Sequence, residues 1–144
     1  MRWPVKLLAG FVAVLLMGWG WHGPAGRGEA FAASLDAQAR AAIDPVGIPG
    51  IQVHMARGPI RRVAIMSGPA DDIQREGMGS EMGLSDYVRA VPGVAAVHWA
   101  DAPGGPGGLP MLVETWLLLI VAYAAGLGLG ALLFGRRKRQ SFLD

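Results

Sequence analysis

The chain has no cysteine, and lysine is almost as scarce: Lys6 and Lys138 are the only two. Without a thiol there is no disulfide framework, no thiolate metal site and no cysteine nucleophile. Charge as a whole is sparse. Asp, Glu, Lys and Arg make up 17% of the 144 residues, against ~25% in an ordinary soluble domain. The net charge of +2 is too small to argue for nucleic acid, which calls for a dense basic face. Catalytic signatures are missing too. No P-loop or dinucleotide fingerprint occurs. Ser67 precedes Gly68 but lacks the G-x-S-x-G context of a nucleophile, so it reads as a turn serine. His54 and His98 have no neighbouring ligand spacing that would favour a metal over two solvated histidines. No cofactor is implied, and a non-enzymatic protein is expected.

Apolar residues are plentiful, at 52%, and they concentrate at the two ends. The first run, Val5 to Trp21, is uncharged from Leu7 onward, with Arg2 and Lys6 ahead of that part. Its 17 residues make a helix of roughly 25 Å, short for a ~30 Å hydrocarbon core but within the usual range. Trp3 at one end and Trp19 and Trp21 at the other suit interfacial anchors. The competing reading is a cleaved leader, with Ala30-Phe31-Ala32 as its processing site. Bulky Trp19 and Trp21 and charged Arg27 and Glu29 lie between the apolar run and that site. A retained anchor suits them better. The second run, Met111 to Phe134, is uncharged from Thr115 onward for 20 residues, enough to span a bilayer. Glu114 then falls at the interface, beside a further anchor, Trp116.

Arg136, Arg137, Lys138 and Arg139 stop the second run abruptly. Basic residues next to a span stay in the cytoplasm, and Arg2 and Lys6 point the same way for the N-terminus. Between Ala90 and Gly135 there is no Lys or Arg. The segment between the spans has seven arginines, but loops this long translocate largely regardless of charge. The expected topology has both termini in the cytoplasm and the centre in the periplasm of a bacterial-style inner membrane. Gly126 and Gly130 form a G-x-x-x-G pair that allows close helix approach. Its partner would be the first span, through Ala9 and Ala13, or another chain.

Two Gly/Pro-rich stretches, 22–29 and 102–110, read as flexible linkers. The expected organisation is a cytoplasmic N-terminus at 1–4, a first span at 5–21, the linker 22–29 and a folded unit at 30–101. The linker 102–110, a second span at 111–134 and a basic cytoplasmic tail at 135–144 complete it. In the folded unit Phe31, Leu35, Ala39 and Ile43 recur every four residues, one apolar face of a helix that Asp44-Pro45 ends. Alternation in Ile51–Ala56 predicts a strand with Val53 and Met55 inward. A second strand follows at Arg61–Gly68, with Val63 and Ile65 sharing a face. A helix over Ala70–Val91 is burdened by Gly77, Gly79 and Gly83, which predict a break in two. A third strand covers Val94–Ala100, and His54 and His98 would share the open face of the sheet. The order is αββαβ, with helices on one face of the sheet: a membrane protein in which two transmembrane helices flank a small α+β domain.

Three stretches, Gly47–Ala56, Val63–Asp72 and Val88–Asp101, together resemble a BON domain. The likeness rests on a strand ending in the turn Ser67-Gly68 and on Pro92-Gly93-Val94 with Val97 as the entry into the last strand. It covers about half the chain. Such modules occur in bacterial envelope proteins and are associated with phospholipid contact or envelope stability, so the resemblance implies a BON-like periplasmic domain with a lipid- or protein-binding role. Arg57, Arg61 and Arg62 cluster around the hairpin between the first two strands and are candidates for contact with lipid headgroups. The expected partners are membrane lipids, and another membrane protein or a second copy through Gly126 and Gly130; nucleic acid is not among them. The expected function is presentation of a binding module in envelope organisation. The alternative is an accessory or assembly subunit of a larger membrane complex, recognised through its transmembrane helices.

Overall fold

The computed structural model describes residues 3–134, with side-chain exposure described from Pro4 onward. Two long apolar helices flank a small mixed α/β region. The first, α1 (Trp3–His22), has a mean hydropathy of 1.5 over Pro4–His22. The last, α5 (Met111–Phe134), reaches 2.4. Both are long and apolar enough to cross a membrane.

Between them run α2 (Arg27–Ile43), β1 (Gln52–Met55), β2 (Val63–Ser67), α3 (Asp72–Glu76), β3 (Gly77–Met78), β4 (Glu81–Met82), α4 (Leu84–Arg89) and β5 (Ala96–Trp99). The main sheet has the order β1-β2-β5, antiparallel at its first pairing and parallel at its second. α2 is rich in Ala, the best helix former. It ends before Pro45 and continues as one 3₁₀ turn, Asp44–Val46. Its buried stripe is Ala32, Leu35, Ala39 and Ile43. The expected four-residue series was right except at its first member, because Phe31 points away from the core and is 45% exposed.

Leu35 and Ala39 pack on Val53 and Met55 of β1, Ala64 and Met66 of β2, Val88 of α4 and Trp99 of β5. Val63 and Ile65 share a face of β2, as expected, and that face is the outer one. Ala64 and Met66 face the helices, while Val63 and Ile65 lie on the opposite face. A period of two makes every such assignment all-or-nothing. Val63 is nonetheless buried, because the chain after β5 crosses the outer face and brings Gly108 against it. On that outer face His54, Ile65 and His98 form one cross-strand row.

The segment 70–91 is two short helices, and the break is a hairpin. Asp71 caps α3 with a reciprocal pair of bonds to Gln74. At Gly77, φ is +78°, and an added Cβ would collide with the Glu81 carbonyl. The β3–β4 hairpin thus closes backbone on backbone, which only glycine permits there. This lobe is fastened to β5. The Trp99 indole donates to Ser85 Oγ at 3.0 Å, and Ser85 donates to Glu76 at 3.1 Å. Arg75 stacks on the Trp99 ring and forks onto Asp101 at 2.9 and 2.7 Å. Those two bonds hold the Asp101 carboxyl below the usual carboxylate range.

The Pro92-Gly93 turn has φ +102° at Gly93, where a Cβ would sit 3.0 Å from Leu35 Cδ2. Leu35 thus ties α2 to both the sheet and this turn. Leu35→Ala should destabilise the domain by about 3 kcal/mol. Denaturant unfolding of the detergent-solubilised chain, followed by near-UV circular dichroism, measures it.

Candidate functional site

α1 and α5 run side by side, antiparallel, through aromatic rings laid on glycines. An added Cβ at Gly10 would meet the Tyr123 hydroxyl at 2.6 Å, and one at Gly18 would meet the Trp116 ring at 2.6 Å. Each aromatic group also donates to the backbone of α1. Tyr123 Oη bonds the Leu7 carbonyl at 2.9 Å, and Trp116 Nε1 bonds the Leu15 carbonyl at 3.1 Å. The expected contact of Ala9 and Ala13 with Gly126 and Gly130 does not form. Ala9 and Ala13 are exposed, and nothing lies within 4 Å of a Cβ added at Gly126, Gly128 or Gly130. That face of α5 is open, beside a hollow of ≈ 520 Å³ that also touches Leu7 and Ala131.

Neither expected linker is a loose tether. Of residues 22–29, only the turn from Gly23 to Gly26 lies outside helix. The His22 ring rests on Gly28, within 2.5 Å of where a Cβ would be, and this close approach sets the α1–α2 elbow. At the other end, Arg61 pairs with Pro110 in an antiparallel bridge, and its guanidinium donates to the Pro106 carbonyl. The Met111 amide donates to the Ile60 carbonyl at 2.9 Å. Gly/Pro content read as flexibility; here it lets the chain lie flat on the sheet.

The three arginines expected to meet lipid headgroups all bond within the chain. Arg57 pairs with Glu29 and Asp36, both at 2.9 Å. Arg62 grips Glu114 with two bonds, at 2.7 and 3.2 Å, and reaches the Gly93 carbonyl at 3.4 Å. Its guanidinium is held above its ordinary pKa by the hydrogen bond to Glu114. Arg61 is engaged as described above. Nothing in the sequence placed Glu114, 52 residues away, opposite Arg62. Among the expected anchors, Trp19 and Trp21 are exposed on α1. Trp116 is half-buried, with its indole N–H engaged by α1. The side chain of Trp3, and Arg136, Arg137, Lys138 and Arg139, lie outside the described residues.

These contacts leave a cleft of ≈ 380 Å³ where both long helices meet the domain. Trp21, Arg27 and Phe31 line one side, and Arg62, Glu114 and Leu118 the other. Arg27 lies over the Trp21 ring at 5.3 Å and has no carboxylate partner among the described residues. Among the described residues no group of three or more His, Asp or Glu is close enough to hold a metal ion. His54 and His98 stay two strands apart across Ile65. The arrangement offers charge, apolar surface and rigid joints. No known protein family, curated protein or solved structure matches the chain.

Two outcomes follow. Because an added side chain at Gly18 would collide with the Trp116 ring, Gly18→Leu should destabilise the α1–α5 pair by about 2 kcal/mol, read as a lower melting temperature of the detergent-solubilised chain; Gly126→Leu, where an added Cβ meets nothing, should leave it unchanged. Reversing one charge, as Glu114→Arg, should raise hydrogen exchange at the Met111 amide and through 102–110. The swap Arg62→Glu with Glu114→Arg should restore most of the protection, since the pair is only partly exposed and worth about 1 kcal/mol.

Proposed function

We propose that this is a non-enzymatic, two-span inner-membrane protein that holds a BON-like module in the periplasm as a docking platform for an envelope protein. The cationic flanks Arg2, Lys6 and Arg136–Arg139 support a topology with both termini in the cytoplasm. The helix-strand order of the module is compatible with the BON resemblance, with the β3–β4 hairpin as an addition.

The observation that carries the docking role is a run of exposed apolar side chains on a fixed support. Ile73, Met78 and Met82 are 56%, 61% and 51% exposed within ten residues. They are borne by the lobe that the Trp99–Ser85–Glu76 bonds and the Arg75–Asp101 fork hold against β5. Methionine is polarizable and adaptable, and suits a protein-binding surface. Rigid presentation lowers the ordering cost of binding. The engagement of Arg57, Arg61 and Arg62 inside the chain favours a protein partner over headgroup contact through those three.

A second reading has its own support. The open face at Gly126, Gly128 and Gly130 allows a helix of another membrane protein to approach closely. The protein would then be an accessory subunit recognised through its spans.

One experiment separates the two. Native membranes carrying the tagged full chain are cross-linked and solubilised, and what co-purifies is compared between variants. Under the docking reading, Met78→Glu with Met82→Glu removes the partner and Gly126→Leu with Gly130→Leu retains it. The reverse pattern establishes the accessory reading and overturns the first.

A further inference from the structure

We infer that the cleft between the spans and the domain seats one membrane phospholipid, its phosphodiester against Arg27 and an acyl chain against α1 and α5. The inference rests on α1 and α5 being embedded in lipid, and is independent of the hairpin's role.

The cleft has the shape and polarity of an amphipathic ligand. Its upper part, ≈ 380 Å³, contains Arg27, His22 and the Arg62–Glu114 pair. A second hollow of ≈ 230 Å³ is lined by Met17, Gly18 and Leu119, and shares Trp21 and Thr115 with the first. The two therefore adjoin, polar at the domain end and apolar along the spans. The change occurs at the level of Trp21 and Glu114, where the apolar helices meet the domain.

Charge selects the ligand class. Glu114 neutralises Arg62 on the opposite wall from Arg27. Arg27, stacked on Trp21, adds a cation without a carboxylate partner among the described residues. The cleft thus has room for one negative charge, and a phosphodiester carries one. The exposed apolar groups around it complete the fit. Phe31 projects at the span-facing end of α2, and Leu118 on α5 is 73% exposed. Leu118 suits an acyl chain that runs along the spans, and Phe31, on the domain side, would be unfavourable in water but is covered against glycerol and acyl carbons. A free anion would use Arg27 and leave the apolar hollow empty, so the site is assigned to a lipid.

The test uses the full chain in a mild non-ionic detergent. Native mass spectrometry follows titration with phosphatidylglycerol, with diacylglycerol of the same chains, and with inorganic phosphate. Arg27→Glu is compared with Arg89→Glu, a charge-matched change on the domain surface, and with the conservative Arg27→Lys. The expected result is one retained phosphatidylglycerol for the unaltered chain, Arg89→Glu and Arg27→Lys. Arg27→Glu should bind about ten-fold more weakly, the loss of one charge-assisted contact, with an unchanged melting temperature. Equal binding by Arg27→Glu and Arg89→Glu overturns the inference, as does equal retention of diacylglycerol, or phosphate displacing the lipid. A chain recovered in the supernatant after carbonate washing of membranes overturns the spanning reading and this inference together. A carbonate-resistant chain with indifferent Arg27→Glu overturns this inference alone.

Discussion

Under the proposed spanning arrangement, α1 and α5 would gain little from apolar contact with each other, because lipid tails offer the same. What fixes α1 against α5 must therefore be shape and hydrogen bonding. Both come from the same pair of side chains. Trp116 and Tyr123, seven residues apart, lie on one face of α5; Gly10 and Gly18, eight apart, lie on one face of α1. Each ring fills the notch left by a missing side chain, and each polar tip reaches a carbonyl of the opposite backbone. In an apolar surrounding, a Trp N–H or Tyr O–H without a partner would be costly. The register of the helix pair is thereby fixed at two points. The end of α1 sets the elbow into α2, and the start of α5 sets where the chain leaves the sheet, so the placement of the domain follows from this packing.

Within the domain, α2 does two jobs with one helix. Its apolar stripe closes the core, and its polar side seals an edge. β1 is an outer strand, with unpaired backbone groups that would otherwise invite another strand. Asp36 accepts from the Met55 amide, and Arg40 donates to the Val53 carbonyl at 3.4 Å. The spacings match: four residues along a helix rise ~6 Å, and two along a strand rise ~6.7 Å. Asp36 is buried, and Arg57 closes over its second oxygen, so the carboxylate is both hydrogen-bonded and paired. The arginines around the β1–β2 connection are thus parts of joints. Arg57 binds α2 to the hairpin, Arg61 binds the incoming α5 segment, and Arg62 binds α5 itself.

Much of this was legible in the sequence, for reasons that also explain what was not. The two long apolar helices announce themselves by length and lack of charge. The alternation in β1 and the three glycines after Asp72 predict a strand and a broken helix, and both are there. Local patterns failed where a distant segment decided the outcome. Val63 is buried, but under the returning chain at Gly108 on the face away from the helices, which nothing in its own strand signals. Gly/Pro content predicted flexible linkers, whereas Arg61–Pro110 and His22–Gly28 contacts hold them down. The candidate site was the least readable part. Arg62 meets Glu114 across 52 positions, and Arg27, unremarkable in a Gly-rich stretch, becomes a wall of the cleft only once the elbow brings it over Trp21.

A domain fastened to its flanking helices at both ends behaves differently from one on a tether. On a flexible linker, a binding surface samples many orientations, and each encounter must find the right one. Here the elbow at Gly28 and the Arg62–Glu114 joint fix the orientation of the hairpin relative to the helix pair. The exposed side chains of the hairpin, Met78 and Met82, therefore face one direction relative to α1 and α5. Under the docking reading, a partner meets them without a search over linker conformations, which lowers the ordering cost of binding. This gives the internal use of the arginines a physical rationale: charges that tie the domain down are engaged inside the chain, and they hold its exposed surface in one orientation.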